Sequence, residues 1–95
     1  MKFEWDTNKE SINIKKHGVT FEKAAYVFAD KFSLSMFDNE HSSQEDRWAI
    51  LGKSNNEVLL LVIHTFRNNK DEEIVRIISA RKATKNEEKT YKRRV

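Results

Sequence analysis

The chain has 95 residues, of which 38% are hydrophobic and 35% are charged, and its formal net charge is +3. This length suits one small domain with a single core, so we expect residues 1–95 to form one domain. Cysteine is absent and only two glycines are present, which excludes disulfides, thiolate zinc sites and glycine-rich phosphate loops.

The first thirty residues predict a short strand and two helices. Residues 3–5 read as extended, and Asp6 is suited to cap a helix that ends before Gly18. Thr20 then caps a second helix, in which apolar residues recur at helical spacing to about Ala29. A tight turn is expected between the two helices.

The rest of the chain predicts a meander of four strands and a final helix. Alternating apolar residues indicate strands near 31–37 and 45–53, and a continuously apolar run begins a central strand at about 58–67. A fourth strand follows at 73–83, and a helix runs from about 83 to 93. The predicted fold class is α+β, with two N-terminal helices, a four-stranded antiparallel sheet plus a short N-terminal strand, and a C-terminal helix.

Three arginines lie in or near the last two predicted strands. Arg76 and Arg81 fall on opposite faces of a regular strand, so they can meet Arg67 at one site only past a bulge or strand end. Converging guanidinium groups would hold a phosphodiester and stabilise the charge of a phosphoryl-transfer transition state. The alternative is that each arginine pairs with an acid such as Asp46, Glu72 or Glu73.

A second candidate is the basic sequence Lys16-His17-Gly18 at the end of the first helix. His17 could act as a general acid or base near neutral pH, or it could only cap the last carbonyls of the helix. His64 lies in the apolar strand, where a core histidine is expected, and His41 lies in a polar stretch. No histidine and acid spacing matches a metal site, so we expect no metal and no other cofactor.

Charge and hydropathy bear on partners and location. Residues 1–47 hold 7 Lys+Arg and 9 Asp+Glu, whereas residues 48–95 hold 11 and 6. A basic C-terminal half is typical of a phosphate-binding surface, but also of a solvated basic helix. No stretch is long and apolar enough for a membrane span, and the N-terminus lacks the apolar core of a signal peptide, so a cytoplasmic protein is expected.

The sequence resembles BrnT-type toxins of bacterial type II toxin–antitoxin systems over essentially its whole length. The matching pieces are FEWD at 3–6, Asn13, KHG at 16–18, F-x-x-A at 21–24, Val27-Phe28 with Asp30, His41, E-x-R at 45–47, Gly52, T-x-R ending at Arg67, RIISARKA at 76–83, and Glu87 with Tyr91. Helix or strand periodicity would not generate FEWD, KHG and RIISAR together.

This resemblance implies a RelE-like fold and a metal-independent endoribonuclease that cleaves RNA and inhibits translation. It also implies a BrnA-type ribbon-helix-helix antitoxin as the neutralising partner, with operator DNA bound only through that antitoxin. Carried onto this chain, the expected catalytic residues are Lys16, His17, Arg67, Arg76 and Arg81. The expected RNA-binding residues are Arg47, Ser79 and Lys82.

Two other functions fit the same residues. A non-catalytic RelE-like module could bind RNA, the ribosome or a protein target through its basic face. A toxin of the same fold could instead act on a DNA topoisomerase. Substitution of a proton-transfer group such as His17 would remove the activity of an enzyme but leave its binding intact. The activity of a binding module would instead depend mainly on its arginines and on the salt concentration.

Overall fold

A computed structural model describes residues 1–40 and 45–94. The elements within these ranges are β1 (Lys2–Glu4), α1 (Thr7–His17), α2 (Phe21–Tyr26), β2 (Leu34–Phe37), β3 (Trp48–Lys53), β4 (Leu59–Asn69), β5 (Glu72–Lys82) and α3 (Lys85–Lys92). A 3₁₀ turn, Val27–Ala29, continues α2. No helix in the described ranges is long and apolar enough to cross a membrane.

Both N-terminal helices begin at the predicted caps and α1 ends before Gly18 as predicted, whereas α2 ends at Tyr26 and only the 3₁₀ turn reaches the predicted end at Ala29. The Asp6 side chain accepts hydrogen bonds from two backbone N–H groups of the first turn of α1, at 2.8 and 3.2 Å. Gly18 ends α1 in the left-handed region, at φ 70°, which only glycine adopts at low cost. The Thr20 hydroxyl caps α2 at 3.2 Å.

The sheet is mixed, with the strand order β1-β5-β4-β3-β2. The meander from β2 to β5 is antiparallel, as predicted. β1 joins the far edge parallel to β5, with Phe3 opposite Val75. The expectation of a purely antiparallel sheet was therefore wrong, because the sequence shows that residues 3–5 are extended but not which strand they join.

The two faces of the sheet carry different layers. The helical face packs against α2 and the 3₁₀ turn, and its main cluster contains Phe21, Ala24, Val27, Ile50, Leu60, Val62, Val75, Ile77 and Ala80. The opposite face, called the α3 face below, packs Ala49, Leu51 and Leu61 against Tyr91 of α3. Because α3 contacts only part of this face, a concave surface remains beside it.

A β-bulge in β5 changes which side chains reach the α3 face. Ile63 pairs with Ser79 but His64 pairs with Ile77, so Ile78 is an extra residue in the ladder. Val75, Ile77 and Ala80 all belong to the cluster on the helical face. The spacing thus changes from two to three at the bulge, and Arg76 and Arg81 both lie on the α3 face.

Candidate active site

The α3 face contains a groove of about 730 Å³. Its lining comes from the end of α1, the end of β2 with the residues after it, and strands β3, β4 and β5. The lining residues are His17, Met36, Phe37, Asp38, Asn39, Glu40, Arg47, Ala49, Leu61, Ile63, Ile78, Ser79 and Arg81. Of the predicted site residues, the groove thus brings together His17, Arg47, Ser79 and Arg81.

His17 reaches the groove because α1 lies along an exposed edge of the sheet. β1 pairs with β5 only from Ile74 to Arg76, which leaves the later part of that edge without a neighbouring strand. There the buried Asn13 side chain donates to the carbonyl of Ala80 at 2.9 Å and accepts from its N–H at 3.1 Å. Asn13 also donates to the carbonyl of Val19 at 2.9 Å, so it fixes the end of α1 that carries His17.

Arg81 is held in the groove by Glu87 of α3. The two guanidinium nitrogens Nη1 and Nη2 donate to the two carboxylate oxygens of Glu87 at 2.8 and 3.0 Å. The hydrogen bond from Glu87 raises the pKa of Arg81, and the same bond lowers the pKa of Glu87. Arg81 is therefore a permanent, oriented cation in the groove that His17 also lines.

Arg47 and Ser79 complete the basic and polar lining of the groove. Arg47 is partly buried just before β3, and its Nε lies 3.8 Å from the Glu45 carboxylate. Its carbonyl accepts a hydrogen bond from the N–H of Asp38 at 2.8 Å, which ties the end of β2 to β3. Ser79 lies on β5 next to the bulge and is half-buried.

Arg67 and Arg76 lie elsewhere on the α3 face. Both bind Glu4 of β1, Arg67 Nη2 to Oε1 at 2.7 Å and Arg76 Nη1 to Oε2 at 2.6 Å. These two hydrogen bonds, the one from Arg67 first, lower the pKa of Glu4. The carboxylate of Glu4 comes from β1, a partner that the sequence did not suggest.

The predicted convergence of the three arginines was therefore wrong. The bulge does place Arg76 and Arg81 on one face, but five residues of strand put about 16 Å between their Cα atoms. Each also binds a different acid, Glu4 or Glu87. The groove contains Arg81 without Arg67 or Arg76.

Two further predicted residues do not line the groove. Lys16 is exposed on α1 next to His17. Lys82 follows Arg81 on β5, so its side chain points to the opposite face, where it borders a separate cavity of about 180 Å³ with Gly18 and Leu60. Strict alternation along the strand after the bulge explains the separation of Lys82 from Arg81.

The remaining histidines do not line the groove in the part of the chain that the structure describes. His64 is buried on the helical face, with its ring 4.7 Å from that of Phe28 and 5.2 Å from that of Phe66. Burial lowers its pKa, so it is a neutral core residue, as expected. His41 lies outside the described residues.

Sequence reasoning missed one wall of the groove. This wall consists of Met36 and Phe37 at the end of β2 and Asp38, Asn39 and Glu40 after it, for which the sequence predicts only a strand end and a polar stretch. Nothing in their spacing signals a site, since only the position of β2 in the sheet brings them into the same groove as Arg81. Among residues 1–40 and 45–94, no group of three or more His, Cys, Asp or Glu could hold a metal ion.

Comparison with known proteins identifies the family. Residues 5–87 match the family described as the ribonuclease toxin, BrnT, of type II toxin–antitoxin systems. The fold is similar to the crystal structure, at 1.1 Å resolution, of the Brucella abortus ribonuclease toxin BrnT, with 26% sequence identity, a TM-score of 0.59 and coverage of 90% of this chain and 99% of that chain. Comparison with curated protein sequences gave no match. The chain belongs to the BrnT family of ribonuclease toxins of type II toxin–antitoxin systems.

Proposed function

We propose that this toxin is a metal-independent endoribonuclease and that the groove on the α3 face is its active site. The observation that carries the proposal is the meeting of His17, Arg47 and Arg81 in one groove of a ribonuclease-family fold. A histidine supplies proton transfer near neutral pH, and guanidinium groups supply permanent positive charge for a phosphodiester. The cleavage of RNA halts translation in the cytoplasm.

The two walls of the groove suit two parts of an RNA chain. Arg81 and His17 form one wall, where the permanent positive charge of Arg81 favours the scissile phosphate. The other wall combines the half-exposed Met36 and Phe37 with the carboxylates of Asp38 and Glu40. Carboxylates repel a phosphate and accept hydrogen bonds from base N–H groups, so the base next to the cleaved bond lies on this side.

The reaction is an intramolecular transfer. A base removes the proton of the ribose 2′-hydroxyl, O2′ forms a bond to phosphorus, and the bond from phosphorus to O5′ breaks while an acid protonates O5′. The products are a 2′,3′-cyclic phosphate and a 5′-hydroxyl. His17 performs one of the two proton transfers, while Arg81 stabilises the charge on the non-bridging oxygens. Arg47, at the other end of the groove, binds the RNA chain.

Arg67 and Arg76 have a different role in this proposal from the one that the sequence suggested. They lie on the same face as the groove, and each donates to one oxygen of Glu4, much as two arginines hold a phosphate. Arg67 remains well exposed, with 62% of its side-chain surface accessible. We assign this pair to phosphates that flank the cleaved bond, with Lys16 and Lys82 as more distant contacts.

The neutralising partner is a BrnA-type antitoxin with a ribbon-helix-helix domain. We expect an acidic or amphipathic antitoxin segment to cover the groove, because Arg47, Arg81 and the nearby Arg67 present positive charge there. The toxin then binds operator DNA only through the antitoxin. Co-purification that survives high salt but leaves the groove open would contradict occlusion.

Cleavage of a defined RNA by purified toxin, without ribosomes and with EDTA present, tests the proposed function. His17→Ala should slow cleavage by about 10²- to 10⁴-fold and leave RNA binding intact. Arg81→Ala should slow it by about 10²- to 10³-fold, and Arg47→Ala should mainly weaken RNA binding. Arg93→Ala, which removes the same charge at the exposed end of α3, is the matched control and should cleave normally.

Three results would overturn the proposal. Loss of cleavage in EDTA would show a metal requirement. Products without a 2′,3′-cyclic phosphate or 3′-phosphate would exclude attack by the 2′-hydroxyl. Growth arrest with intact RNA would indicate a binding module, or a topoisomerase-directed toxin if pulse labelling showed that replication stops first.

A further inference from the structure

The carboxylate of Glu87 is shared between the groove and the start of α3. Its Oε1 accepts from Arg81 Nη1 and from the backbone N–H of Thr84, both at 2.8 Å, while Oε2 accepts from Arg81 Nη2 at 3.0 Å. The Thr84 hydroxyl in turn accepts from the N–H of Glu87 at 3.2 Å. This reciprocal pair is a capping box, so the Glu87 side chain has one defined orientation.

The helix that carries Glu87 is itself fixed to the sheet. Tyr91 is buried on the α3 face, and its hydroxyl donates to Asp30 Oδ2 at 2.6 Å. Burial, together with this hydrogen bond, raises the pKa of Tyr91 to about 12, so the hydroxyl keeps its proton. A continuous set of contacts therefore runs from the core through α3 to Arg81.

The ion pair restricts Arg81 without using all of its donors. A guanidinium has five N–H groups, and the hydrogen bonds to Glu87 and to the carbonyl of Lys82 use three of them. An arginine in an open groove otherwise loses rotamer freedom when it binds a phosphate, which weakens binding and misaligns the donors. With Glu87 in place, that loss has already occurred in the folded toxin.

We propose that Glu87 is a positioning residue for RNA cleavage, which orients the Arg81 guanidinium so that its remaining N–H groups meet the scissile phosphate. This inference rests on the proposed function of the groove. Glu87 does not touch the RNA, and its negative charge opposes phosphate binding. Loss of the Glu87 charge should therefore strengthen RNA binding, whereas loss of its positioning should slow cleavage, and measurements of KM and kcat separate the two effects.

Glu87→Gln is the informative variant, because the amide can still accept from Thr84 while it no longer pairs its charge with Arg81. We expect kcat to fall by about tenfold or more, with KM unchanged or lower. Glu88→Gln removes the same charge from the same turn of α3 and is the matched control. Thr84→Ala removes the reciprocal cap alone and shows what a less stable α3 does, so cleavage is compared per folded molecule.

A double variant tests whether Glu87 acts through Arg81. In an Arg81→Ala background, Glu87→Gln should have no further effect on cleavage, because the group that it orients is gone. An equal loss in both backgrounds would overturn the proposal. So would a Glu87→Gln variant that cleaves at the wild-type rate, or one whose loss is matched by Glu88→Gln.

An NMR measurement separates failure of this proposal from failure of the proposed function. The guanidinium of Arg81 should rotate slowly in the wild type and in Glu88→Gln, and faster in Glu87→Gln. Slow rotation in all three proteins would overturn the positioning role even if RNA is cleaved. If the guanidinium responds as expected but the wild type does not cleave RNA, the proposed function has failed, and with it the part of this inference that concerns the phosphate.

Discussion

Asn13 provides a test of how α1 is attached to the sheet. It is a polar residue at 5% exposure, and its side chain makes three hydrogen bonds to the backbone, two to Ala80 and one to Val19. The amide thus replaces a neighbouring strand at the point where β5 extends beyond β1. Asn13→Ala removes all three bonds at once.

The loss of stability in Asn13→Ala can be worked out from the backbone groups that lose their hydrogen-bond partner. The N–H of Ala80 loses its partner at a buried position, which costs about 1–3 kcal/mol. The carbonyls of Ala80 and Val19 lose donors as well, although carbonyls tolerate this better and water can enter the space of the amide. We expect the free energy of unfolding to fall by about 3 kcal/mol, a large share of the 5–15 kcal/mol typical of a domain.

Urea denaturation followed by circular dichroism measures this loss, and hydrogen exchange locates it. The amide proton of Ala80 should lose its protection selectively in Asn13→Ala. Asn8→Ala, on the exposed side of α1, controls for the change in helix propensity and should be neutral or slightly stabilising. A loss of less than about 1 kcal/mol in Asn13→Ala, or an Ala80 amide that exchanges as in the wild type, would refute the reasoning.

Three other substitutions should each lower the free energy of unfolding, and the contacts of the replaced residue explain why. Glu4→Gln should lower the free energy of unfolding by about 1 kcal/mol at pH 7. The difference from the wild type should vanish on acidification, because the lowered pKa of Glu4 gives stability that is present above pH 4.5 and lost below it. Urea titrations across pH 2–7 check this. Gly52→Ala should destabilise by about 1–3 kcal/mol in the same assay, since the new Cβ would lie 3.0 Å from Val27 Cγ1 and 3.1 Å from Asp30 Oδ2. Tyr91→Phe should lower the free energy of unfolding by about 1.5–3 kcal/mol, because Asp30 loses its donor. It should also abolish the stability that the wild type loses between pH 10 and about 12, because the raised pKa of Tyr91 favours folding only while the hydroxyl is protonated. Each argument would be wrong if the stability difference for Glu4→Gln did not change with pH, if Gly52→Ala had no effect on stability, or if Tyr91→Phe lost as much stability as the wild type above pH 10.

The local parts of the fold could be predicted because short-range chemistry determines them. Asp6, Gly18 and Thr20 mark helix ends through hydrogen bonds and φ values that depend on a few neighbouring residues. The alternating and continuously apolar runs likewise locate the strands of the meander. The parallel pairing of β1 with β5 could not be predicted, because it depends on how α1 crosses the edge of the sheet, which Asn13 fixes by contacts 67 residues apart.

The candidate site could be predicted only in part for a similar reason. His17 and Arg81, which were predicted because a histidine can transfer protons near neutral pH and because arginine within a strand suggests a use, both line the groove. Arg67 and Arg76 were placed with them because one hairpin connects the two strands, but closeness along a hairpin says nothing about acids from other elements. Glu4 and Glu87 come from β1 and α3, and they decide where each arginine points.

The premise that the three arginines together bind one phosphate is wrong, so the proposal of RNA cleavage rests on the residues of the groove instead. The chain belongs to a family of ribonuclease toxins, and its groove contains His17, Arg47 and an Arg81 side chain that Glu87 orients. Many residues that carry the family resemblance hold this groove in shape rather than line it, among them Asn13, which fixes α1, and Tyr91, which fixes α3. Loss of toxicity alone therefore cannot identify a catalytic residue in this protein. Cleavage measured per folded molecule can, because it separates His17, which would act on the RNA, from Asn13, which would act only on the fold.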